Sequence, residues 1–419
     1  MSGIATAEFS LHGRSYRLGP WPLVVICVDG CADEYLSVAM ARRGLPNLQR
    51  MAAQGYRGLV RGALPSFTNV NNCALVTGTP PAETGISGNY IIDPRTGEEV
   101  MTNSVEFLRN ETILASAAQA GRKVAMVTAK EKLRSLLSKG LFEASQDAIA
   151  FSSERAATAT RQEHGIEQVE QLVGPTPPIY SGEASLYVLR AGVKLLQSGR
   201  SDLLYLTTTD YMQHKYAPEA PEIIDFYAQL DAYVGQLLEL GAVIGITADH
   251  GMNAKCDVDG QPRVQFVETL LTERFGSGYR VICPITDPYV VHHGALGSAV
   301  TVYCPPGADL QAVATWLMDQ PGVTEVHHRA TATRLLQLPA DRIGDLVVLS
   351  GRDWVLGRTA AYHDLSQLAG SLRSHGGRYE EMVPMLLSHP LTERYQRLAA
   401  GDPRNFDIFD FVCNGTVVA

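Results

Sequence analysis

"GITADHGMNAK", residues 245–255, decides how the chain is read. It continues an apolar run that begins at Ala242 and carries Asp249 and His250, side by side, before Gly251. An unbroken apolar run of this length reads as a strand buried on both faces of a parallel sheet. Adjacent side chains on a strand point to opposite faces. A carboxylate next to an imidazole therefore has one common target only if the strand has already ended. A turn eased by Gly251 can then aim both side chains at one point.

The same ending recurs along the chain. "PLVVICVDG" (22–30) is an apolar strand closing on Asp29, and "SDLLYLTTTD" (201–210) is another closing on Asp210. "RKVAMVTAK" (122–130) is a third, ending at Lys130. Helical patterns lie between them: "PNLQRMAAQG" (46–55), with Pro at its start and Gly after its end, "TILASAAQAG" (112–121) and "EIIDFYAQLDAYVGQLLELG" (222–241). This alternation predicts an α/β fold, a mostly parallel central sheet flanked by helices on both faces. From residue 256 short strands mix with turns and a single helix. Residues 256–372 are expected to form an inserted, smaller α+β cap. Residues 1–255 and 373–419 are expected to form the core, with "MVPMLLSHP" (382–390) returning to the main sheet.

Ligands of open α/β sheets bind beyond the carboxyl ends of the strands. Asp29, Asp210 and Asp249 are therefore expected to converge on one rim. His214 follows Asp210 by four residues in "DYMQH", which puts both on one face of a helix starting there. His250 abuts Asp249, and His375 lies in the Gly-rich "SHGG" (374–377). A mixed Asp/His set suits zinc, and six such residues are about right for two ions bracketing a phosphoryl group. Thr68, in "SFTNVNNCALVTG" (66–78), sits where a loop enters a helix and is the candidate nucleophile. Ser66, Thr68 and Asn69 are each also capable N-caps. Asn89, in "SGNYIID" (87–93), can donate to a phosphoryl oxygen or serve a turn. On residue type alone Lys130 and Lys132 read as surface lysines. His292 and His293 read as structural, and His327 and His328 as surface residues. His363 and His389 have no partner pattern.

Composition sets outer bounds. The 419 residues are 45% hydrophobic and 19% charged, an ordinary globular balance with room for two or three domain-sized units. A net charge of −9 without a long Lys/Arg run argues against a nucleic-acid surface. The seven cysteines are widely spaced and form no CxxC, which argues against a disulfide framework or a cysteine-rich zinc site. The N-terminal "MSGIATAEFSLHGRSYRLGPWP" has no apolar h-region. Apolar runs reach about six residues against the roughly 20 of a membrane span. A cytoplasmic protein with no membrane partner is expected.

The ordered set Asp29, Thr68, Asp210…His214, Asp249-His250-Gly251 and His375-Gly376 resembles the alkaline phosphatase superfamily, in its nucleotide pyrophosphatase/phosphodiesterase-like branch. Segments such as "LPSFTNVNN", "GISGNYIIDPRTGEEVM", "VTAKEKL", "TTTDYMQHKYAP" and "ICPITDPYVVHHGALGS" are similar to those of hydrolases in that branch that act on phosphonoacetate. The resemblance implies two zinc ions per subunit. Asp210, His214 and His375 would hold one; Asp29, Asp249, His250 and Thr68 Oγ1 would hold the other. It implies substrate contacts from Thr68, Asn89, Lys130, Lys132 and His214, with the two lysines clamping a carboxylate. A small anionic phosphonate would be cleaved to acetate and phosphate through a phospho-threonine, by a homodimer. A nucleotide pyrophosphatase or phosphodiesterase on the same scaffold is the nearest competing expectation. It would need an aromatic slot for a base and no lysine pair. A phosphoglycerate mutase-like isomerase normally uses a serine nucleophile with manganese, so Thr68 counts against it. A non-catalytic metal-binding protein would have no need of Thr68.

Overall fold

The structure, a computed structural model, describes residues 3–287, 292–366, 368 and 372–418. In chain order the strands used below are β1 (Leu23–Cys27), β2 (Tyr56–Arg61), β3 (Val124–Thr128), β4 (Ile149–Ser152), β5 (Leu203–Thr207) and β6 (Val243–Thr247), then β7 (Asn253–Ala254), β8 (Arg280–Ile282), β9 (Ala299–Tyr303), β10 (Val323–His328), β11 (Leu346–Ser350), β12 (Arg373–Ser374) and β13 (Met382–Leu387). Helices α1 (Thr68–Thr77), α2 (Glu131–Leu137), α3 (Tyr211–Lys215) and α4 (Pro221–Glu239) complete the frame of the site.

The central sheet has seven strands in the order β2-β13-β6-β1-β5-β3-β4. Neighbours from β6 to β4 pair in parallel, as continuous apolar runs demand, and every residue of β1, β3, β5 and β6 is buried. The tail strand β13 does return to this sheet, but antiparallel, between β6 and β2. α4 starts at Pro221 and buries Ile223, Phe226, Tyr227, Leu230, Val234 and Leu237 along one stripe, the spacing read from the sequence.

Strands β8, β9, β11 and β10 form a separate four-stranded antiparallel sheet. Its outer face packs a small core of Val267, Leu271, Val300, Val302, Val313 and Leu317. Its other face contributes Ala299, Val347 and Leu349 to the main core. The chain passes from one sheet to the other through a two-residue ladder, in which Asn253 pairs with Ser374 and Ala254 with Arg373. Among the described residues, no helix is long and apolar enough to cross a membrane.

Candidate active site

Strand register builds the rim. Cys27 pairs with both Thr247 and Thr207, and Thr207 pairs with Thr128, so β6, β1, β5 and β3 end in one row. Shortly beyond that row stand Asp249, Asp29, Asp210 and Lys130, in that order across four adjacent strands. Neighbouring strands are about 4.8 Å apart. Side chains from positions spread over the sequence are thereby brought within contact.

All three carboxylates and His214, His250 and His375 are buried. His250 Nε2 lies 3.2 Å from Asp29 Oδ1 and 3.7 Å from Asp249 Oδ2. His214 Nε2 is 2.8 Å, and His375 Nε2 3.5 Å, from Asp210 Oδ2. The His250 and His375 rings stack at 3.5 Å between centroids, 7° from parallel. Two overlapping groups have their ligand atoms within 4.8 Å of one another: Asp29–Asp249–His250 and Asp210–His250–His375. The family resemblance set His214 beside Asp210 and His375. In the structure His250 belongs to both groups, and His214 joins through its contact with Asp210.

The imidazoles are oriented from behind. His214 Nδ1–H donates to the Arg373 carbonyl at 2.7 Å, His250 Nδ1–H to Gly251 at 2.9 Å, and His375 Nδ1–H to Ser66 at 2.8 Å. A carbonyl only accepts, so Nδ1 must carry the proton and Nε2 faces the carboxylates. Backbone carbonyls set metal-binding histidines in this way. Asp29 adds a second sign. Neither of its buried oxygens accepts a hydrogen bond, although His250 Nε2 is near. Burial, with Asp210 and Asp249 close by, pushes its carboxyl well above the usual range. Burial also opposes the charge of Asp210, but His214 and Lys130 outweigh it and hold that carboxyl well below the usual range. His250 is raised to about 10, against its burial, by Asp249 and Asp29. His375 is pushed well down by burial and by His250. Three buried carboxylates, one of them with both oxygens unpartnered, facing fixed imidazole Nε2 atoms, fit a divalent cation.

Thr68 is the first residue of α1, with Oγ1 3.4 Å from His250 Nε2. The N-cap position is Phe67, and no side chain of its own caps the helix, contrary to the capping expected of Ser66, Thr68 or Asn69. Ser66 Oγ instead donates to the Gly377 carbonyl at 2.8 Å, tying the helix entry to the His375 loop. The first-turn Asn69 N–H donates to Asn89 Oδ1 at 3.0 Å, so Asn89 caps α1 from outside. Gly251 is not the special glycine. It lacks a positive φ, and a methyl group there would meet nothing closer than 3.4 Å. The tight position is Gly30, at φ +73, where a Cβ would lie 2.9 Å from Asp210 Cβ.

Lys130 Nζ stands 3.6 Å from Asp210 Oδ1, and Asp210 with Asp29 hold its charge against burial. Lys132 Nζ is 2.8 Å from Asp287 Oδ1, on the connection between β8 and β9 of the small sheet. The two lysines thus share an edge but face different carboxylates. His292 and His293 pack their rings 4.8 and 5.2 Å from His214. Burial and His214 push His292 down to about 3. His327 and His328 lie on β10, half-buried, with His327 paired to Glu325 at 2.7 Å. His363 bridges Gly294 and the Arg358 N–H, and His389 contacts Ser388.

Asn72, Arg373 and Asp287 also take part in the site, though nothing in the sequence alone singles them out as Asp29 or Thr68 are singled out. Arg373 is buried, donates to the Gln213 carbonyl and the Tyr35 hydroxyl, and presents its own carbonyl to His214. Asn72 had a usable signal, one helical turn beyond Thr68. Arg373 and Asp287 had none that was local.

The fold and this rim define a class. The chain belongs to the type I phosphodiesterase/nucleotide pyrophosphatase family, whose sequence model matches residues 23–378. At 46% identity and a TM-score of 0.93, its structure is similar to phosphonoacetate hydrolase from Sinorhizobium meliloti 1021 in complex with phosphonoformate, over 100% of both chains. The same enzyme solved with phosphonoacetate matches at a TM-score of 0.92, again at 46% identity over 100% of both chains. Murine ectonucleotide pyrophosphatase/phosphodiesterase 5 shares the fold at a TM-score of 0.63 and 16% identity, over 95% of this chain and 96% of that one. An ectonucleotide pyrophosphatase/phosphodiesterase from Caenorhabditis elegans is 35% identical over 97 residues, which is 22% of this chain and 12% of that protein. The chain therefore matches only a small part of that relative's length.

Proposed function

We propose that this chain hydrolyses the carbon–phosphorus bond of phosphonoacetate to acetate and phosphate, with Thr68 as nucleophile and two zinc ions at the Asp/His rim. The observation that carries the reading is the buried meeting of both donor groups at His250, with Thr68 Oγ1 3.4 Å away at the start of α1. Similarity to an enzyme of that name over 100% of both chains supports the choice of substrate. Asp29, Asp249, His250 and Thr68 would hold one ion; Asp210, His214 and His375 would hold the other. When bound, the ions supply Lewis-acid charge that offsets the phosphonate and lowers the pKa of hydroxyl groups.

The chain's own residues do the rest. Thr68 Oγ1 loses its proton and attacks phosphorus; the O–P bond forms as the C–P bond breaks, and the proton lost balances the one that the carbon takes up. The electron pair stays on the methylene carbon, is shared with the adjoining carboxylate, and takes a proton to give acetate. Lys130 and Lys132 bind that carboxylate and stabilise its added charge. Asn89 has its Oδ1 engaged by α1, so its Nδ2 is the end offered to a phosphonate oxygen. Water then cleaves the phospho-threonine. Residues 256–372 act as the cap on a core of 1–255 and 373–419, a division supported by the ladder at 253–254 and 373–374.

Purified, zinc-supplemented protein should release equal amounts of phosphate and acetate from phosphonoacetate; no phosphate release would sink the substrate assignment. Substantial activity in Thr68→Ala would sink the covalent route. A phosphodiesterase reading predicts faster turnover of a nitrophenyl phosphodiester. Against it stands the pair Lys130 and Lys132, which that reading does not need.

A further inference from the structure

Asn72 lies one turn beyond Thr68 on α1 and is fully buried. Its Oδ1 accepts from the Tyr205 hydroxyl at 2.7 Å and the Thr207 hydroxyl at 3.0 Å, both on β5. Its Nδ2 donates to Asp249 Oδ2 at 3.1 Å and to the Thr68 carbonyl at 3.1 Å. The orientation is forced. A flipped amide would set its oxygen against a carboxylate and a carbonyl, two acceptors facing an acceptor. As placed, both N–H bonds and both oxygen lone pairs are used.

Asp249 is held at its other end as well. Its Oδ1 accepts from the Gly30 N–H at 3.2 Å and the His250 N–H at 3.0 Å. Asn72 is therefore the side chain that ties three things together: the backbone of the proposed nucleophile, a carboxylate of one donor group, and the central strand β5. A rotation of Asp249, or a slide of α1 past it, must break one of the two hydrogen bonds that this buried amide donates.

We propose that Asn72 is a positioning residue, fixing Asp249 against Thr68 so that the Asp29–Asp249–His250 group keeps its geometry. The inference rests on the two-metal reading above. Asn72→Asp is the sharpest variant. It keeps the shape but puts a second carboxylate where Nδ2 met Asp249 at 3.1 Å. Asn72→Ala removes the link altogether.

The test is zinc binding by chelator competition, on wild type and both variants, alongside steady-state kinetics. Wild type should bind two equivalents. In the Asn72 variants one step should weaken about 10- to 100-fold while the other stays within twofold. Turnover should fall far more than KM changes. The double variant Tyr205→Phe/Thr207→Val keeps Asn72 but frees its amide. It should weaken the same step by a smaller factor, and it carries the test if the Asn72 variants fail to fold. Two unchanged binding steps with only a lower Tm, or both steps weakened alike, would overturn the inference and leave the two-metal reading standing. Wild-type protein that binds no zinc would instead overturn that reading, and this inference with it.

Discussion

Asp29 and Asp210 sit beyond neighbouring strands and are about equally buried, at 1% and 3% exposure, yet the protein treats their charges in opposite ways. Asp210 has its own partners: His214 Nε2 at 2.8 Å and Lys130 Nζ at 3.6 Å. Asp29 has two oxygens without a hydrogen bond and two other carboxylates nearby. Burial alone does not set the charge of a carboxyl; partners do. One half of the rim is neutralised by the chain, and the other is arranged so that a cation from outside relieves it.

Two neutral isosteres should separate the halves most strongly. Asp210→Asn strands His214 and Lys130, and should cost the chelator-treated protein about 3–5 kcal/mol. Asp29→Asn relieves the repulsion from Asp210 and Asp249 but gives up the contact with His250 Nε2 at 3.2 Å, so the chelated protein should lose less stability than Asp210→Asn does. Each variant should lower zinc-dependent turnover on the order of 100-fold or more. Denaturant titration with chelator reads the first contrast. Equal losses in the two variants would break the comparison.

Gly30 links the halves. It carries Asp29 into the turn at φ +73 and leaves room for Asp210. Gly30→Ala should cost about 1–3 kcal/mol from the strained backbone and displace Asp210 by contact. Activity and zinc affinity should both fall, where an exposed Gly→Ala change elsewhere would alter neither.

The halves should also differ in pH response once metal is removed. His250 is raised from 6.5 to about 10, so its contribution is fully present below pH 6.5 and is lost as pH rises through 10. Asp210 is depressed, so its contribution is present above its ordinary value of 3.8 and is lost as pH falls below it. Chelated wild type should therefore lose a few degrees of Tm between pH 6.5 and 10. Asp29→Asn, with one fewer carboxylate holding the His250 proton, should begin that loss at lower pH. An unchanged profile would mean that Asp249 alone holds the proton.

How much of this was readable in advance follows from the range of each interaction. β1, β3, β5, β6 and α4 announce themselves because apolar periodicity is local, and Asp29, Asp210 and Asp249 follow because strand ends are local too. That β13 would enter antiparallel between β6 and β2 is set by the whole sheet, and MVPMLL does not encode it. The capping of α1 by Asn89 depends on a residue 20 positions away. The sharing of His250 between the two groups depends on ring stacking with His375, which no spacing reveals. Gly251 misled because a Gly beside two polar residues looks like a turn, whereas the strain sits at Gly30.

The smallest expected effect lies at the outer edge of the same contrast. Lys130 answers a carboxylate of the rim, whereas Lys132 answers Asp287 at 2.8 Å. If Lys132 binds the substrate carboxylate, Asp287 competes for the same ammonium. The pair is partly exposed, at 31% and 17%, so its worth is about 0.2–1 kcal/mol. Asp287→Asn should then lower KM for phosphonoacetate by a factor of about 1.4–5 and leave kcat unchanged. A raised KM would assign Asp287 the opposite role, that of holding Lys132 in position. Inorganic phosphate, which lacks the carboxylate, is the control ligand. Its inhibition constant should stay the same in Asp287→Asn if the effect acts through the two lysines, and should move with KM if the substitution has disturbed the Asp/His rim.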